Sequence, residues 1–355
     1  MKIVIDARMW NETGIGRYIR NLVLGLEKID SENDYYLLLL SNEFNSLQLN
    51  KNFHKVLADF KWYTLEEQYK LPFVINKISP DLFHSPNINA PVFYSGKMVI
   101  TIHDLIMLKG LKNEGLKHFI KRVLLKVTLI FLLKSQCKVV TVSNYVKRQL
   151  QLKFNVNPED IKMIYNCVDV DSNLLTNPTG KSDYLLYVGN TYGHKNIEFL
   201  INAVSETDKR LIIVGKEDVS MRHLKQIVLE KRLENKVHFR GYVEDFELNR
   251  LYSNAFAFIF PTLDEGFGLP GLEAMSNSCP VICTDIEVLR EIYKDGAVYF
   301  EKNSTKSLVA KIKMLESTSF RERLLKNGLE VVKQYSCKSF VENTLKVYLE
   351  FGSYK

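Results

Sequence analysis

The sequence predicts an α/β protein built from two doubly wound, Rossmann-like domains, because short apolar strands alternate with helical segments along the chain. The predicted strands are rich in Val, Ile, Leu and aromatic residues and are apolar almost without interruption. Such strands are typical of parallel sheets that helices cover on both faces. The 355 residues also exceed what one hydrophobic core usually organises, which favours two domains.

The predicted strands fall into two sets, and helical periodicity separates most of them. The first set consists of residues 2–6, 35–40, 98–102 and 138–142, and the second of 184–188, 210–214, 236–239, 257–260, 280–283 and 297–300. The helical segments are 15–29, 145–153, 197–204, 222–231 and 305–315. Each set predicts one doubly wound domain.

The predicted boundary is the segment 166–182, where Asn, Asp, Ser, Pro and Gly cluster between periodic stretches. We therefore expect an N-terminal domain over 1–165, a linker over 166–182 and a C-terminal domain over 183–338. Ligands bind at the carboxyl ends of strands in open α/β domains. Two such domains facing each other would enclose a cleft.

The composition is that of an ordinary globular protein, with 46% hydrophobic and 25% charged residues and a net charge of +7. A mild basic excess suits phosphate-rich small molecules or an anionic membrane surface. We expect no nucleic-acid partner. Five cysteines, an odd number without Cys-x-x-Cys spacing, indicate free thiols in a reducing compartment.

The N-terminal residues read as a strand and not as a signal peptide. No run of about 18 uncharged apolar residues exists to span a membrane, so the expected location is the cytoplasm. The longest apolar stretch, 123–133, is interrupted by Lys126 and flanked by other basic residues. It predicts either a basic amphipathic helix in peripheral contact with the inner face of a membrane or a helix buried in the first domain. Apolar residues on almost every side favour the buried helix.

The segment 261–275 follows a predicted strand and places two carboxylates, Glu265 and Glu273, with seven residues between them. Pro270 suits the first position of a helix, where a missing N–H costs nothing. Residues 266–269 should therefore form a tight loop whose N–H groups lie beside a helix N-terminus and favour anions and polar oxygens. Two carboxylates there would accept hydrogen bonds from sugar hydroxyls. The alternatives are an acidic loop before an ordinary helix, or the acid and nucleophile of a glycosidase.

This spacing, with Gly-Phe-Gly-Leu-Pro between the acids, resembles the signature of the retaining glycosyltransferases of family 4, which have the GT-B fold. The resemblance implies that Glu273 holds the ribose hydroxyls of a nucleotide sugar and that Glu265 holds the hexose. The donor-binding loop it implies consists of Gly266, Phe267, Gly268 and Leu269, and N–H groups of the last three join Glu265 in holding the hexose. The resemblance further implies that a last helix, within 339–355, packs back on the first domain.

A glycine-rich loop, Gly14-Ile15-Gly16, precedes the first predicted helix. Ile19 stands where a dinucleotide fingerprint has its third glycine, so that motif is incomplete. The two glycines still allow backbone to approach a ligand at a helix start, and the family has a similar loop near the donor diphosphate and the acceptor. The alternative is a plain turn.

A polar pair, His103-Asp104, ends a predicted apolar strand. It resembles the His-Asp of the family, whose histidine contacts the donor sugar near its reacting end. We assign sugar positioning and transition-state hydrogen bonding to His103, with a locally satisfied histidine as the alternative. His84, which ends another strand, is a second candidate for the acceptor side.

The segment 187–196 opens the second predicted domain with a strand, a loop and a helix start. Lys195 would neutralise the leaving diphosphate, whose departure is the charge problem of sugar transfer. Many family members also have an arginine in this loop, at the positions of Asn190 and His194. The chain therefore has one phosphate donor fewer, or His194 replaces it in part and weakens as the pH rises.

Two further motifs concern the nucleotide and a metal. The resemblance implies that backbone at Tyr242 and Val243 meets the nucleotide base. Asp169-Val170-Asp171 has the spacing with which other glycosyltransferases hold a metal, but it lies in the predicted linker. We interpret it as structural and predict no metal and no cofactor.

The resemblance thus implies a retaining hexosyltransferase with a nucleotide-diphosphate sugar donor, GDP-mannose being the first choice. The acceptor would be a hydroxyl of a glycan or a lipid-linked glycan, as in bacterial surface polysaccharide synthesis. Catalysis would rest on His103, Lys195 and Glu265. The alternatives are a GT-B epimerase or phosphorylase and a catalytically silent GT-B partner subunit.

Overall fold

The computed structural model describes residues 1–109, 115–135, 137–168 and 182–352, apart from the side chains of Lys117 and His118. Two compact units emerge. Unit 1 combines Met1–Cys167 with Cys337–Lys355, and unit 2 is Val168–Ser336. Asp169 and Asp171 lie outside the described residues, so the interpretation of that pair stays a prediction.

Unit 1 is built on a seven-stranded parallel sheet with the order β3-β2-β1-β4-β5-β6-β7. Its strands are β1 (Lys2–Asp6), β2 (Asp34–Leu39), β3 (Phe53–Leu57), β4 (Leu82–Ser85), β5 (Met98–Ile102), β6 (Cys137–Thr141) and β7 (Ile161–Met163). The connecting helices are α1 (Gly14–Ile29), α2 (Ser41–Ser46), α3 (Leu65–Ile78), α4 (Leu116–Lys134) and α5 (Asn144–Phe154). The strand order reverses direction after β3, which makes the sheet doubly wound.

Unit 2 is built on a six-stranded parallel sheet with the order β10-β9-β8-β11-β12-β13. Its strands are β8 (Tyr184–Val188), β9 (Arg210–Val214), β10 (Val237–Gly241), β11 (Ala257–Phe260), β12 (Val281–Thr284) and β13 (Ala297–Phe300). The helices are α6 (Ile197–Ser205), α7 (Val219–Glu230), α8 (Asp245–Asn254), α9 (Leu269–Ser276), α10 (Glu287–Tyr293), α11 (Thr305–Met314) and α12 (Thr318–Val332). The predicted fold class of two doubly wound α/β domains is confirmed.

The last helix, α13 (Cys337–Gly352), belongs to unit 1. Its residues Phe340, Val341, Val347 and Tyr348 are buried in the core of unit 1, together with residues of α1 and of the central strands. The chain therefore leaves unit 1 once, forms unit 2 and returns to complete the first core.

A disulfide joins Cys167 to Cys337, with 4.8 Å between their Cα atoms. The prediction of five free thiols is wrong for these two residues, whereas Cys137, Cys279 and Cys283 are free. The bonded pair is 170 residues apart in sequence. Only the return of the chain to unit 1 brings the two cysteines together, and local spacing carries no sign of that.

The expectation that the helix over 123–133 is buried is wrong for much of α4. Leu125, Leu129 and Leu132 are buried, but Leu124, Val127 and other apolar residues of the same helix are exposed. The buried residues face the core of unit 1, and the apolar residues on other sides of the helix are left exposed. Among the described residues, no helix is long and apolar enough to cross a membrane.

Candidate functional site

The acidic loop connects β11 to α9 in unit 2, at the carboxyl end of the sheet. Gly268 is the N-cap of α9 with φ at 99°, a left-handed conformation that favours glycine. The helix begins at Leu269, so Pro270 occupies its second position and not the first. The predicted tight turn before a helix N-terminus is present.

The buried Tyr293 of α10 fixes the shape of this loop. Its hydroxyl donates a hydrogen bond to the carbonyl oxygen of Gly268 at 2.5 Å. A Cβ atom added at Gly271 would lie 2.3 Å from the Cζ atom of Tyr293. Glycine at 271 therefore makes room for the ring that holds the loop. No sequence motif marks Tyr293, because it lies 25 residues from Gly268.

Lys195 and Glu265 form an ion pair within unit 2. Their side chains are only 13% and 11% exposed, so the pair is largely withdrawn from water. The Lys195 Nζ atom also lies 5.5 Å from the centre of the Phe260 ring, at the end of β11. The structure thus brings together two of the three residues predicted to be catalytic.

Two hydrogen bonds hold the loop after β8 against the loop after β11. The carbonyl oxygen of His194 accepts from the Leu263 N–H at 2.7 Å and from the Thr262 hydroxyl at 3.2 Å. The same hydroxyl lies 2.9 Å from the Asp264 carbonyl oxygen. Since β8 and β11 are neighbours in the sheet, these contacts place Lys195 beside the acidic loop. The buried Thr262 helps to position Lys195 beside the acidic loop, and no sequence motif marks it.

Glu273 lies on α9 and is partly exposed. Its Oε2 atom accepts a hydrogen bond from the Tyr252 hydroxyl of α8 at 3.3 Å. Tyr252 is fully buried, so the carboxylate is held from within and keeps part of its surface open. The geometry suits a carboxylate that receives hydroxyl groups.

The carboxyl ends of β8, β9 and β10 meet in close backbone contact. The Gly215 N–H donates to the Gly241 carbonyl oxygen at 3.0 Å, and a Cβ atom at Gly215 would lie 2.2 Å from the Gly189 carbonyl oxygen. Beyond this edge, Tyr242 is 72% exposed and Val243 partly exposed. Both are accessible to a ligand, and Gly215 is a third residue, after Tyr293 and Thr262, that no sequence motif marks.

Asn190 begins the loop that leads to Lys195. Its carbonyl oxygen accepts a hydrogen bond from the buried Tyr187 hydroxyl at 2.5 Å. Its side-chain Oδ1 atom is buried without a hydrogen-bond partner among the described residues. The ring of His194 lies 6.3 Å from that of Tyr192. An unsatisfied buried amide oxygen is unfavourable, so a ligand group that donates to it would be stabilised.

The glycine-rich loop of unit 1 divides into two different positions. Gly14 is exposed, and a Cβ atom there would meet nothing within 4 Å. Gly16 is buried, and a Cβ atom would lie 2.5 Å from the Trp10 carbonyl oxygen. The packing of the chain on itself therefore explains Gly16, and only Gly14 stays accessible to a ligand.

His103 lies directly after β5 in unit 1 and is partly exposed. Its Nε2 atom is 3.1 Å from the Pro86 carbonyl oxygen, and its ring meets the Tyr18 ring edge-on at 4.8 Å. Burial lowers the pKa of His103 to about 4. The imidazole is therefore neutral at pH 7, with the proton on Nε2 and with Nδ1 as an acceptor.

His84, the second histidine candidate, is fully buried. Its Nε2 atom is 2.9 Å from the Thr101 hydroxyl and its Nδ1 atom 2.5 Å from the Tyr348 hydroxyl. Burial lowers its pKa to about 3. The assignment of His84 to the acceptor side is wrong, because both ring nitrogens are used inside the core.

Two doubly wound domains, with a cation and two carboxylates at one sheet edge, define a protein of the GT-B class. The family model Glycosyltransferase Family 4 matches residues 13–172, and the model Glycosyl transferases group 1 matches residues 176–331. The chain belongs to this family of glycosyltransferases. The resemblance to glycosyltransferase family 4, predicted from the sequence motifs, is thereby confirmed.

Two curated relatives agree with this membership. The O-antigen chain mannosyltransferase RfbU of Salmonella typhimurium is 36% identical over 238 residues, which are 63% of this chain and 66% of that protein. The O-antigen chain mannosyltransferase B of Escherichia coli is 35% identical over 172 residues, 46% of this chain and 45% of that protein. The chain thus matches just under two thirds of the first and less than half of the second.

The crystal structure of Anabaena Alr3699/HepE in complex with UDP-glucose has a TM-score of 0.79 at 17% identity and covers 99% of this chain and 100% of that one. At this identity the likeness concerns the fold. It supports the GT-B class.

Proposed function

We propose that the protein is a retaining hexosyltransferase that moves a hexose from a nucleotide-diphosphate sugar to a hydroxyl of a glycan or lipid-linked glycan. The observation that carries the proposal is the Lys195–Glu265 pair at the carboxyl end of the unit 2 sheet. A donor of this class has both an anionic diphosphate for the cation and hydroxyl groups for the carboxylate. No feature of the described residues favours an epimerase, a phosphorylase or a catalytically silent subunit over a transferase.

The first step is the grip on the donor. We assign the ribose hydroxyls to Glu273, whose Oε2 atom also accepts a hydrogen bond from the Tyr252 hydroxyl. The hexose hydroxyls are assigned to Glu265 and to N–H groups of the loop that ends at Leu269, the first residue of α9. The backbone at Tyr242 and Val243, which are accessible after β10, is assigned to the base. These contacts orient the donor and transfer no proton.

The second step is stabilisation of the leaving diphosphate. Lys195 supplies a positive charge in a largely buried setting, where a charge interacts more strongly than it does in water. A phosphate that reaches Lys195 competes with Glu265 for it, which frees the carboxylate for the sugar. The donor-site cation comes from the protein itself, so we keep the prediction that transfer needs no metal ion and no cofactor.

The third step is the substitution at the sugar. We infer attack by the acceptor hydroxyl on the face that the diphosphate leaves, with the departing phosphate taking the proton, so that the configuration is retained. His103, neutral at pH 7, is assigned hydrogen bonding to the sugar and not general base catalysis. A general base at pH 7 should have a pKa near the working pH, and a pKa of about 4 is too low for that role.

Mannose is the proposed hexose and GDP-mannose the proposed donor. The support is the activity of two relatives, which are O-antigen chain mannosyltransferases. An acceptor glycan of the kind used in surface polysaccharide synthesis follows from the same names.

The test is a ligand screen followed by a transfer assay. GDP-mannose should raise the melting temperature by mass action more than UDP-glucose or UDP-galactose does, and radiolabelled mannose should appear in a glycan acceptor with its configuration retained. Activity should persist in EDTA. Stabilisation by a UDP-sugar alone would refute the mannose assignment, and inversion at the sugar would refute the mechanism.

A matched control lies at the opposite end of the same sheet. Asp183 and Arg210 form an exposed ion pair with 2.6 Å between charged atoms. Replacing Arg210 with Met should leave transfer unchanged, whereas Glu265→Gln should abolish most of it. If the Arg210→Met and Glu265→Gln variants were equally active, the assignment of Glu265 to the donor site would be wrong.

A further inference from the structure

Helix α4 of unit 1 presents an apolar face to solvent. Six of its side chains are between 43% and 58% exposed, although all six are large and hydrophobic. We call them the outer face of α4; they are Phe119, Ile120, Val123, Leu124, Val127 and Phe131. Scattered exposed hydrophobic residues are ordinary, but a contiguous set on one helix marks an interaction surface.

The six side chains form one unbroken sector of the helix. At about 100° per residue, they span an arc of about 140°. Between residues 119 and 131, the only other side chain in that arc is Ile130, which is also apolar. The opposite side of the helix consists of the buried Leu125, Leu129 and Leu132. The helix is therefore apolar on two opposite sides, and the core accounts for only one of them.

Cations border this sector on both sides. Lys126 lies about 20° beyond one edge of the arc, and Lys121 lies about 60° beyond the other edge with Thr128 between; both lysines are exposed. Lys134 at the end of the helix and Lys109 before it are exposed as well. The sequence of α4 contains no Asp or Glu. A polar border of one sign beside an apolar sector is the pattern of a helix that lies in a membrane interface.

A neighbouring segment has a further exposed apolar side chain. The 3-10 turn Ile106–Leu108 packs beside α4, and its Met107 side chain is 53% exposed. Met107 therefore adds to the exposed apolar area in this part of unit 1.

We infer that the outer face of α4 docks on an anionic lipid surface, with its apolar sector at the acyl boundary and its lysines at the headgroups. The charges decide between occupants. A two-fold contact of this face with itself would bring the same cations together, which is repulsive. An anionic membrane attracts them and accepts the apolar sector without a shaped pocket. The inference is independent of the proposed donor and reaction.

The test is vesicle flotation of the full-length protein. Wild-type protein should float with vesicles that contain phosphatidylglycerol and remain unbound with phosphatidylcholine alone. Replacing Leu124 and Phe131 together with Asp should weaken binding about tenfold or more. Replacing Lys121 and Lys126 with Gln should weaken it about twenty-fold, and high salt should do the same to wild type.

Matched controls come from exposed positions in unit 2. Leu229, 54% exposed on α7, and Lys313 on α11 should be replaceable by Asp and Gln respectively without effect on flotation. Circular dichroism should show unchanged folding in every variant, because all these side chains are exposed. No flotation of wild type, equal flotation on neutral vesicles, or unchanged flotation of the Leu124 and Phe131 variant would each overturn the inference.

Self-association is measured in parallel by light scattering without vesicles. The inference expects the same mass for wild type and for the Leu124 and Phe131 variant. A wild-type dimer that this variant dissociates would identify the face as a subunit interface and would overturn the lipid assignment.

Discussion

The ion pair between Lys195 and Glu265 allows stability and activity to be separated by a double-mutant cycle. Each side chain is at most 13% exposed, so removing one partner strands a charge that is largely buried. Lys195→Met leaves an unpaired carboxylate, and Glu265→Gln leaves an unpaired ammonium group. The double variant leaves two neutral side chains of similar volume.

The expected magnitudes follow from this burial. Breaking a fully buried pair costs about 3–5 kcal/mol, and the residual exposure reduces that to about 2–3 kcal/mol for Lys195→Met. Glu265→Gln keeps a hydrogen-bond acceptor and should cost about 1–2 kcal/mol. The double variant should cost no more than about 1 kcal/mol, so the coupling free energy, which is the sum of the two single costs less the cost of the double variant, is about 2–5 kcal/mol.

The two units offer separate probes for this measurement. Both tryptophans of the chain, Trp10 and Trp62, belong to unit 1. Urea unfolding followed by tryptophan fluorescence therefore reports on unit 1 and should be the same in all four proteins. Far-UV circular dichroism reports on both units. The part of its unfolding signal that tryptophan fluorescence does not share therefore reports on unit 2 and should show the coupling free energy.

Transfer activity must follow a different order from stability. All three variants should lose most of their activity, including the double variant whose stability is restored. Active enzyme in the double variant would show that the pair is structural. Additive destabilisation without coupling would show that the two charges do not depend on each other, and either result would refute the reasoning.

Two other predictions concern unit 1. The pKa values of His84 and His103, about 3 and about 4, lie below the ordinary value of 6.5, so the unfolded chain takes up protons first as the pH falls. The unfolding free energy of unit 1, read by tryptophan fluorescence, should drop between pH 6.5 and pH 4, by at most about 1.4 kcal/mol per pH unit and histidine; His103→Gln should flatten this dependence, and a flat wild-type profile would contradict it. Cys337→Ser should cost unit 1 about 2–4 kcal/mol by opening a long loop; dithiothreitol should destabilise wild type equally and leave the variant unchanged, and no effect on wild type would contradict the disulfide's role.

The fold was predictable where the strands are buried on both faces. β1, β5 and β8 are continuous apolar runs, and their bounds agree with the prediction. The four-residue β4 is central and buried, but the prediction included it only as the strand that His84 ends. The missed strands β3 and β7 are the two edges of the unit 1 sheet. Their alternating or short patterns reflect one-sided burial, which periodicity does not separate from a loop.

The site was predictable only where its residues are neighbours in sequence. The acidic loop and Lys195 were identified from local motifs. Tyr293, Thr262 and Gly215 act through contacts made by the folded sheet, so no local pattern marks them. The same applies to Cys167 and Cys337, whose pairing depends on α13 returning to unit 1.

That return has a consequence for synthesis on the ribosome. Phe340 and Tyr348 are part of the unit 1 core, and a ribosome makes them after it has made unit 2. Unit 2 is complete in sequence at Ser336, before α13 has emerged. Domains usually fold in the order of their synthesis. Here unit 1 is begun first but cannot complete its core until unit 2 has been synthesised. A nascent chain arrested before α13 should therefore hold a finished unit 2 beside an open unit 1, and truncation at that point would expose apolar core to chaperones.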